Sequence, residues 1–220
     1  MANEEKEAPA EQPHHHGPDE LGQLKALLRE HGTPVLTGVL IAVVAVGGWQ
    51  MYRSHQRGEA DRASAMITNA RDITQIQQVA TLYKETPSGA MAQLSVAADH
   101  FGSGRYVQAQ DAYAQFRQDY PDYPLGAIAE YGLAQCLEAT GSLEQALDAY
   151  TTFVEVHPDS YLAPQAELGR GRTLEQLGRL DDARVVYEDF IAARPESPWL
   201  ADADALLNLV ERQLRASSGS

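Results

Sequence analysis

Seven histidines and one cysteine are the residues of this 220-residue chain best suited to catalysis or metal binding, so their spacing is weighed first. His14, His15 and His16 are adjacent in a tract of Glu, Pro and Ala, where a histidine run can touch a metal but specifies no coordination geometry. His55, His100 and His157 stand far apart. None belongs to a Ser/His/Asp order, a phosphate-cradling glycine loop or a histidine pair at metal spacing. Each therefore reads as a packing or surface residue rather than a general base. Cys136, having no partner, excludes an intrachain disulfide and every Cys-rich zinc site, and on a helix it reads as a buried, inert thiol. With 17 Lys+Arg against 31 Asp+Glu the chain carries a net −14, the wrong sign for displacing counterions from nucleic acid. The expectation is a protein with no enzyme activity, no cofactor, no metal and no nucleic-acid partner.

Function must then lie in the surfaces that the elements build. The mean hydropathy of −0.37 conceals one local exception, the 21 residues from Gly32 to Tyr52, which contain no charge. At 1.5 Å per residue such a run spans roughly 30 Å, the hydrocarbon thickness of a bilayer. Trp49, Tyr52 and Arg53 close it with the amphipathic and snorkelling residues typical of a membrane interface. The run starts too late, and follows too acidic a stretch, for a cleaved signal peptide, so an uncleaved signal anchor over 34–52 is expected. Lys25 and Arg29 on one side face Arg53, Arg57 and Arg62 on the other, so flanking charge does not choose the topology. Residues 2–18 lack the apolar side chains needed to offset ordering entropy and are expected to be disordered. From Asp19, the leucines Leu21, Leu24, Leu27 and Leu28 make a short amphipathic helix that Gly32 and Pro34 should end, within a tail of 1–33.

Beyond the anchor lies a repeat. Gly104, Gly141 and Gly178 are spaced by 37, and the same interval relates Ala109, Ala146 and Ala183; Tyr113, Tyr150 and Tyr187; Phe116, Phe153 and Phe190; Pro121, Pro158 and Pro195. The glycine suits a tight turn between two helices, and the alanine lets them approach. The Tyr and Phe columns share one helical face as a buried stripe, and the proline stops the second helix. Ala97, Ala134 and Gly171 keep the register on the first helix of each pair. The copies run over about 89–125, 126–162 and 163–199, with a capping helix over 200–216. Residues 53–71 should continue the anchor helix, and Asp72 should cap a further helix ending before Pro87.

The small-small-aromatic-proline pattern, with intervals of 12 from Ala134 to Ala146 and 12 from Ala146 to Pro158, resembles tetratricopeptide repeats, though at 37 rather than the usual 34 residues. His100 stands where that family has an aromatic near the turn. The resemblance implies an all-α chain: one amino-terminal transmembrane helix, then an α-solenoid over 53–220 whose first helices line a concave protein-binding surface. It places Met91, Leu94 and Ala98, then Ile128, Tyr131 and Gln135, then Gln165, Leu168 and Arg172 on that surface. The Lys and Asn cluster that clamps a terminal carboxylate in some members is absent from these positions.

The stretch Glu20–Gln56, with Leu24-Lys25, Leu28, Glu30, Gly32, Gly38, Gly48-Trp49, Tyr52 and His55-Gln56, is similar to the amino-terminal segment of YfgM-like proteins. These are single-span ancillary subunits of the bacterial Sec translocon. That resemblance implies an inner-membrane protein with a cytoplasmic amino terminus and periplasmic repeats. Its partners would be the translocon, translocating polypeptides and a membrane-anchored chaperone or prolyl isomerase. Gly38 and Ala42 form a small-x-x-x-small pair that can seat the anchor against another helix. The alternative is a structural scaffold organising outer-membrane assembly or cell-wall machinery through the same repeats.

Overall fold

The structure, a computed structural model, describes the backbone of residues 20–218 and the side chains of residues 42–217. The expected disordered tail and its histidine run lie outside the described residues. The chain divides into two compact units, Met1–His55 and Gln56–Ser220.

Helix α1 (Glu20–Asn69) does not break at Gly32 and Pro34 as the sequence suggests. A proline withdraws one donor, and the turns on either side still close their own backbone bonds. Val43, Val44, Val46, Trp49, Met51 and Tyr52 are exposed on α1, with the Arg53 guanidinium 5.7 Å from the Trp49 ring centroid. Among the described residues no helix is long and apolar enough to cross a membrane. The side chains of 34–41, the first part of the expected span, lie outside the described residues.

Eight further helices follow: α2 (Ile73–Leu82), α3 (Pro87–Gly102), α4 (Tyr106–Asp119), α5 (Gly126–Ala139), α6 (Leu143–Val156), α7 (Ala163–Gln176), α8 (Leu180–Ala193) and α9 (Leu200–Ser218). The pairs α3/α4, α5/α6 and α7/α8 are the three copies of the repeat. Between the helices of each pair the glycine has φ of 72°, 78° and 74° at 104, 141 and 178, a backbone state that a Cβ disfavours. Each turn closes alike: Arg105, Ser142 and Arg179 donate to the carbonyls of His100, Leu137 and Leu174 at 2.9 Å, the Schellman bond that satisfies a helix end.

Phe116, Tyr150, Phe153, Tyr187 and Phe190 are at most 1% exposed, and Ala109, Ala146 and Ala183 are fully buried. The tyrosine of one copy reaches the next. A Cβ built on Gly132 would lie 2.5 Å from the Tyr113 ring, and one on Gly169 would lie 2.6 Å from the Tyr150 ring. Small residues there let successive copies stack. Carboxylates on the first helices tie down the ends of the second: Glu130 accepts from Arg117 and lies 2.7 Å from His157 Nε2, and Glu167 accepts from Arg194 at 2.5 and 3.1 Å.

The register extends beyond the three copies. Subtracting 37 from Tyr113, Phe116 and Tyr120 gives Ile76, Val79 and Tyr83 on or capping α2, and the Tyr83–Thr86 turn repeats the Tyr120–Tyr123 turn. Asp72 caps α2, accepting from the Gln75 amide at 2.9 Å. Adding 37 to Gly126 gives Ala163, and adding it again gives Leu200, the first residue of α9; in the same way buried Ala129 and Ala166 are followed by buried Ala203. Helix α9 is therefore the first helix of a fourth copy. Where a second helix would pack, Ala134 and Gly171 are replaced by exposed Asn208, and Leu137 and Leu174 by Glu211.

Candidate protein-binding groove

First helices of successive copies touch one another, α3 to α5, α5 to α7 and α7 to α9, whereas the second helices α4, α6 and α8 do not. A stack closer on one side than the other curves toward the closer side, so the first helices form the concave face. On it lies a pocket of about 460 Å³. Tyr131 and Gln135 come from α5, Gln165, Leu168 and Arg172 from α7, and Asp202, Ala205 and Leu206 from α9, with Trp199 just before it. A neighbouring depression of about 360 Å³ shares Gln135 and Arg172 and continues to Glu138, Gln176 and Phe101.

Five of the nine residues that the sequence placed on this face meet here: Tyr131, Gln135, Gln165, Leu168 and Arg172. Leu94 does not open on the face; it is 7% exposed and packed with Ala97, Ala109 and Phe116, because its helical position points between α4 and α5. Ile128 is half-buried against the cores of the first two copies. Met91 and Ala98 are exposed on α3, outside the pocket. Ala42 is exposed on α1, while the surroundings of Gly38 lie outside the described residues.

The α9 contribution was missed, although adding 37 to Gln165 and Leu168 gives Asp202 and Ala205. Glu138 was missed as well, and it organises the polar half of the groove. Its Oε2 accepts from the Tyr150 hydroxyl at 2.7 Å and from Arg172 Nη2 at 3.2 Å, and its Oε1 accepts from Arg172 Nε at 3.1 Å and Gln176 Nε2 at 3.2 Å. Burial works against the Arg172 charge, but the Glu138 carboxylate more than offsets it and holds the guanidinium above its ordinary pKa. The Tyr150 hydroxyl is pushed well above the usual phenol range by burial, then by the Glu138 charge. Asp202 is exposed and makes no ion pair among the described residues. Tyr131 spans the floor, its hydroxyl donating to Gln165 Oε1 at 3.3 Å and its ring 5.9 Å from that of Phe153.

Among the described residues no three His, Cys, Asp or Glu side chains could hold a metal ion. Cys136 is fully buried, and burial pushes its thiol up to about 11.

Helix pairs in fixed register, curved around a groove that mixes apolar and hydrogen-bonding groups, define a repeat solenoid of the protein-interaction class. The chain belongs to the tetratricopeptide repeat-like domain family, whose model matches residues 25–209. Solved structures share the fold. TPR-like repeats of a kinesin light chain candidate from Podosopora anserina match at a TM-score of 0.54 and 17% identity, over 72% of this chain and 86% of that one. MamA AMB-1 matches at a TM-score of 0.51 and 14% identity, over 74% and 84%. PcrH from Pseudomonas aeruginosa matches at 0.50 and 21%, over 57% and 93%. No curated protein matches the sequence. Folds of this family bind protein partners and are typically non-enzymatic scaffolds, and the TPR-like repeats of this chain suggest a protein-interaction adaptor.

Proposed function

We propose that this adaptor is anchored in the bacterial inner membrane by residues 34–52, with its amino terminus in the cytoplasm and its repeats in the periplasm. It receives polypeptides from the Sec translocon and links them to a membrane-anchored chaperone or prolyl isomerase. The observation that carries the binding role is the 460 Å³ groove pocket, whose apolar floor and amide-bearing rim suit an extended chain, with side chains against the floor and backbone groups bonded at the rim. Support for the anchor comes from Val43, Val44, Val46, Trp49 and Met51, which lie exposed on more than one side of α1 rather than along one narrow stripe. The likeness of Glu20–Gln56 to YfgM-like anchors supports the translocon.

A photo-crosslinking residue at Gln135 of the full-length protein in intact membranes tests the reading. Crosslinks to translocon subunits, a periplasmic chaperone and nascent secreted chains are expected. Cell-wall or outer-membrane assembly factors in their place would refute the translocon role and leave a scaffold. Replacing Gly38 by Leu should reduce co-purification of the membrane partner; unchanged recovery removes the small-residue face from the account.

A further inference from the structure

We infer that the groove pocket selects, among extended apolar segments, those that carry a lysine or arginine, and rejects acidic ones. This rests on the groove reading above. Tyr131, Leu168 and Leu206 form an apolar floor, with Trp199 beside them. Of the charges in the pocket, that of Arg172 is already spent on Glu138 through two hydrogen bonds. Asp202 is exposed and makes no ion pair among the described residues. The charge in the pocket without an ion-pair partner among the described residues is thus one carboxylate, in the first turn of α9, lining the same pocket as an indole and a phenol. An ammonium or guanidinium group is attracted by both a carboxylate and an aromatic face, while its alkyl stem packs on an apolar floor. A ligand carboxylate would be repelled by Asp202 and would find Arg172 engaged. The surrounding field has the same sign, since residues 56–220 carry 13 Lys+Arg against 24 Asp+Glu, a net −11.

The test uses the full-length chain in phosphatidylcholine nanodiscs, with empty nanodiscs as the blank. Three labelled peptides share one apolar sequence and differ only in a central Lys, Gln or Glu; binding is read by fluorescence anisotropy at low salt. The Lys peptide should bind about tenfold more tightly than the Glu peptide, as expected when an attraction to an exposed carboxylate is exchanged for a repulsion at low salt. Asp202→Lys should reverse the order, and Asp202→Asn should reduce the ratio to about threefold or less. Asp148→Asn makes the same charge change on the exposed face of α6, away from the pocket, and should leave the ratio unchanged. Equal binding of all three peptides overturns the selection but leaves the groove reading standing. An equal loss of selection in the Asp202 and Asp148 variants overturns the pocket as its source. If no peptide binds, the groove reading itself fails.

Discussion

Replacing Glu138 by Gln changes one charge and almost no volume, so it isolates what the carboxylate does between the second and third copies. The Glu138 side chain is 13% exposed and accepts from Tyr150, twice from Arg172, and from Gln176. In the variant, the amide NH₂ faces one arm of the Arg172 fork in either flip, together with the Tyr150 hydroxyl in one and the Gln176 amide in the other. The hydroxyl can turn to accept, so the loss falls on one arm of the Arg172 fork and on its counter-charge. Hydrogen bonds to charged groups contribute about 1.5–3 kcal/mol each, and the 37% exposure of Arg172 lets water replace part of that, leaving a cost of about 2 kcal/mol. For a unit of this size that is a fall in Tm of about 4–8 °C. Urea unfolding of the full chain, followed by far-ultraviolet circular dichroism, measures it. A double-mutant cycle with Arg172→Met should give a coupling of about 1 kcal/mol or more. The variant should also free Arg172 in the groove and shift peptide preference toward acidic segments. A loss below about 0.5 kcal/mol, with no coupling, would place the pair among surface contacts of no structural weight and refute the argument.

Gly169→Ala gains helix propensity but puts a methyl into the Tyr150 ring, so it should destabilise by about 1–3 kcal/mol; an unchanged urea midpoint would mean that the stack is looser than the geometry states. Tyr113 is pushed up to about 12 by burial and then by Cys136, and Tyr150 and Tyr187 are also raised, by burial first and then by their glutamate partners. Unfolded tyrosine ionises near pH 10, so stability is complete below that and falls above it by about 1.4 kcal/mol per pH unit for each of these residues. Alkaline titration should therefore show their phenolate absorbance emerging together with helix loss, and Tyr113→Phe should make the pH dependence shallower; phenolate formation near pH 10 with the helices intact would contradict this.

The repeat was legible where one residue type meets one geometric demand. A left-handed turn favours Gly104, Gly141 and Gly178, and a large buried face favours Tyr and Phe at fixed intervals. The terminal copies were not legible, because their neighbours relax those demands. Ile67 stands where the turn glycine would be, so α1 runs on to Asn69, and Ile76 and Val79 fill the aromatic columns with smaller side chains. In α9 the aliphatic pattern survives but the small crossing residue becomes Asn208, so it reads as a cap rather than half a copy. For the same reason the groove was half found: the α7 residues follow from the pattern, and the α9 wall follows only once the register is carried across Pro195. The role of Glu138 could not be read from spacing, because the equivalent position in the first copy is Phe101 and an ion pair depends on which side chains meet across the stack.

The outer side of α9 carries polar groups. Helix α9 offers α8 the apolar surface that any first helix offers the helix before it, and toward the next position it offers exposed Asn208 and the Glu211–Arg215 pair. A following helix would have to bury those groups. A second molecule adding on at this end would have to bury them too, unlike stacked repeats with two matching ends, which can grow into a fibre. An additional 37-residue copy inserted ahead of Leu200 would meet the same surfaces on both sides, so the stack can be lengthened from within.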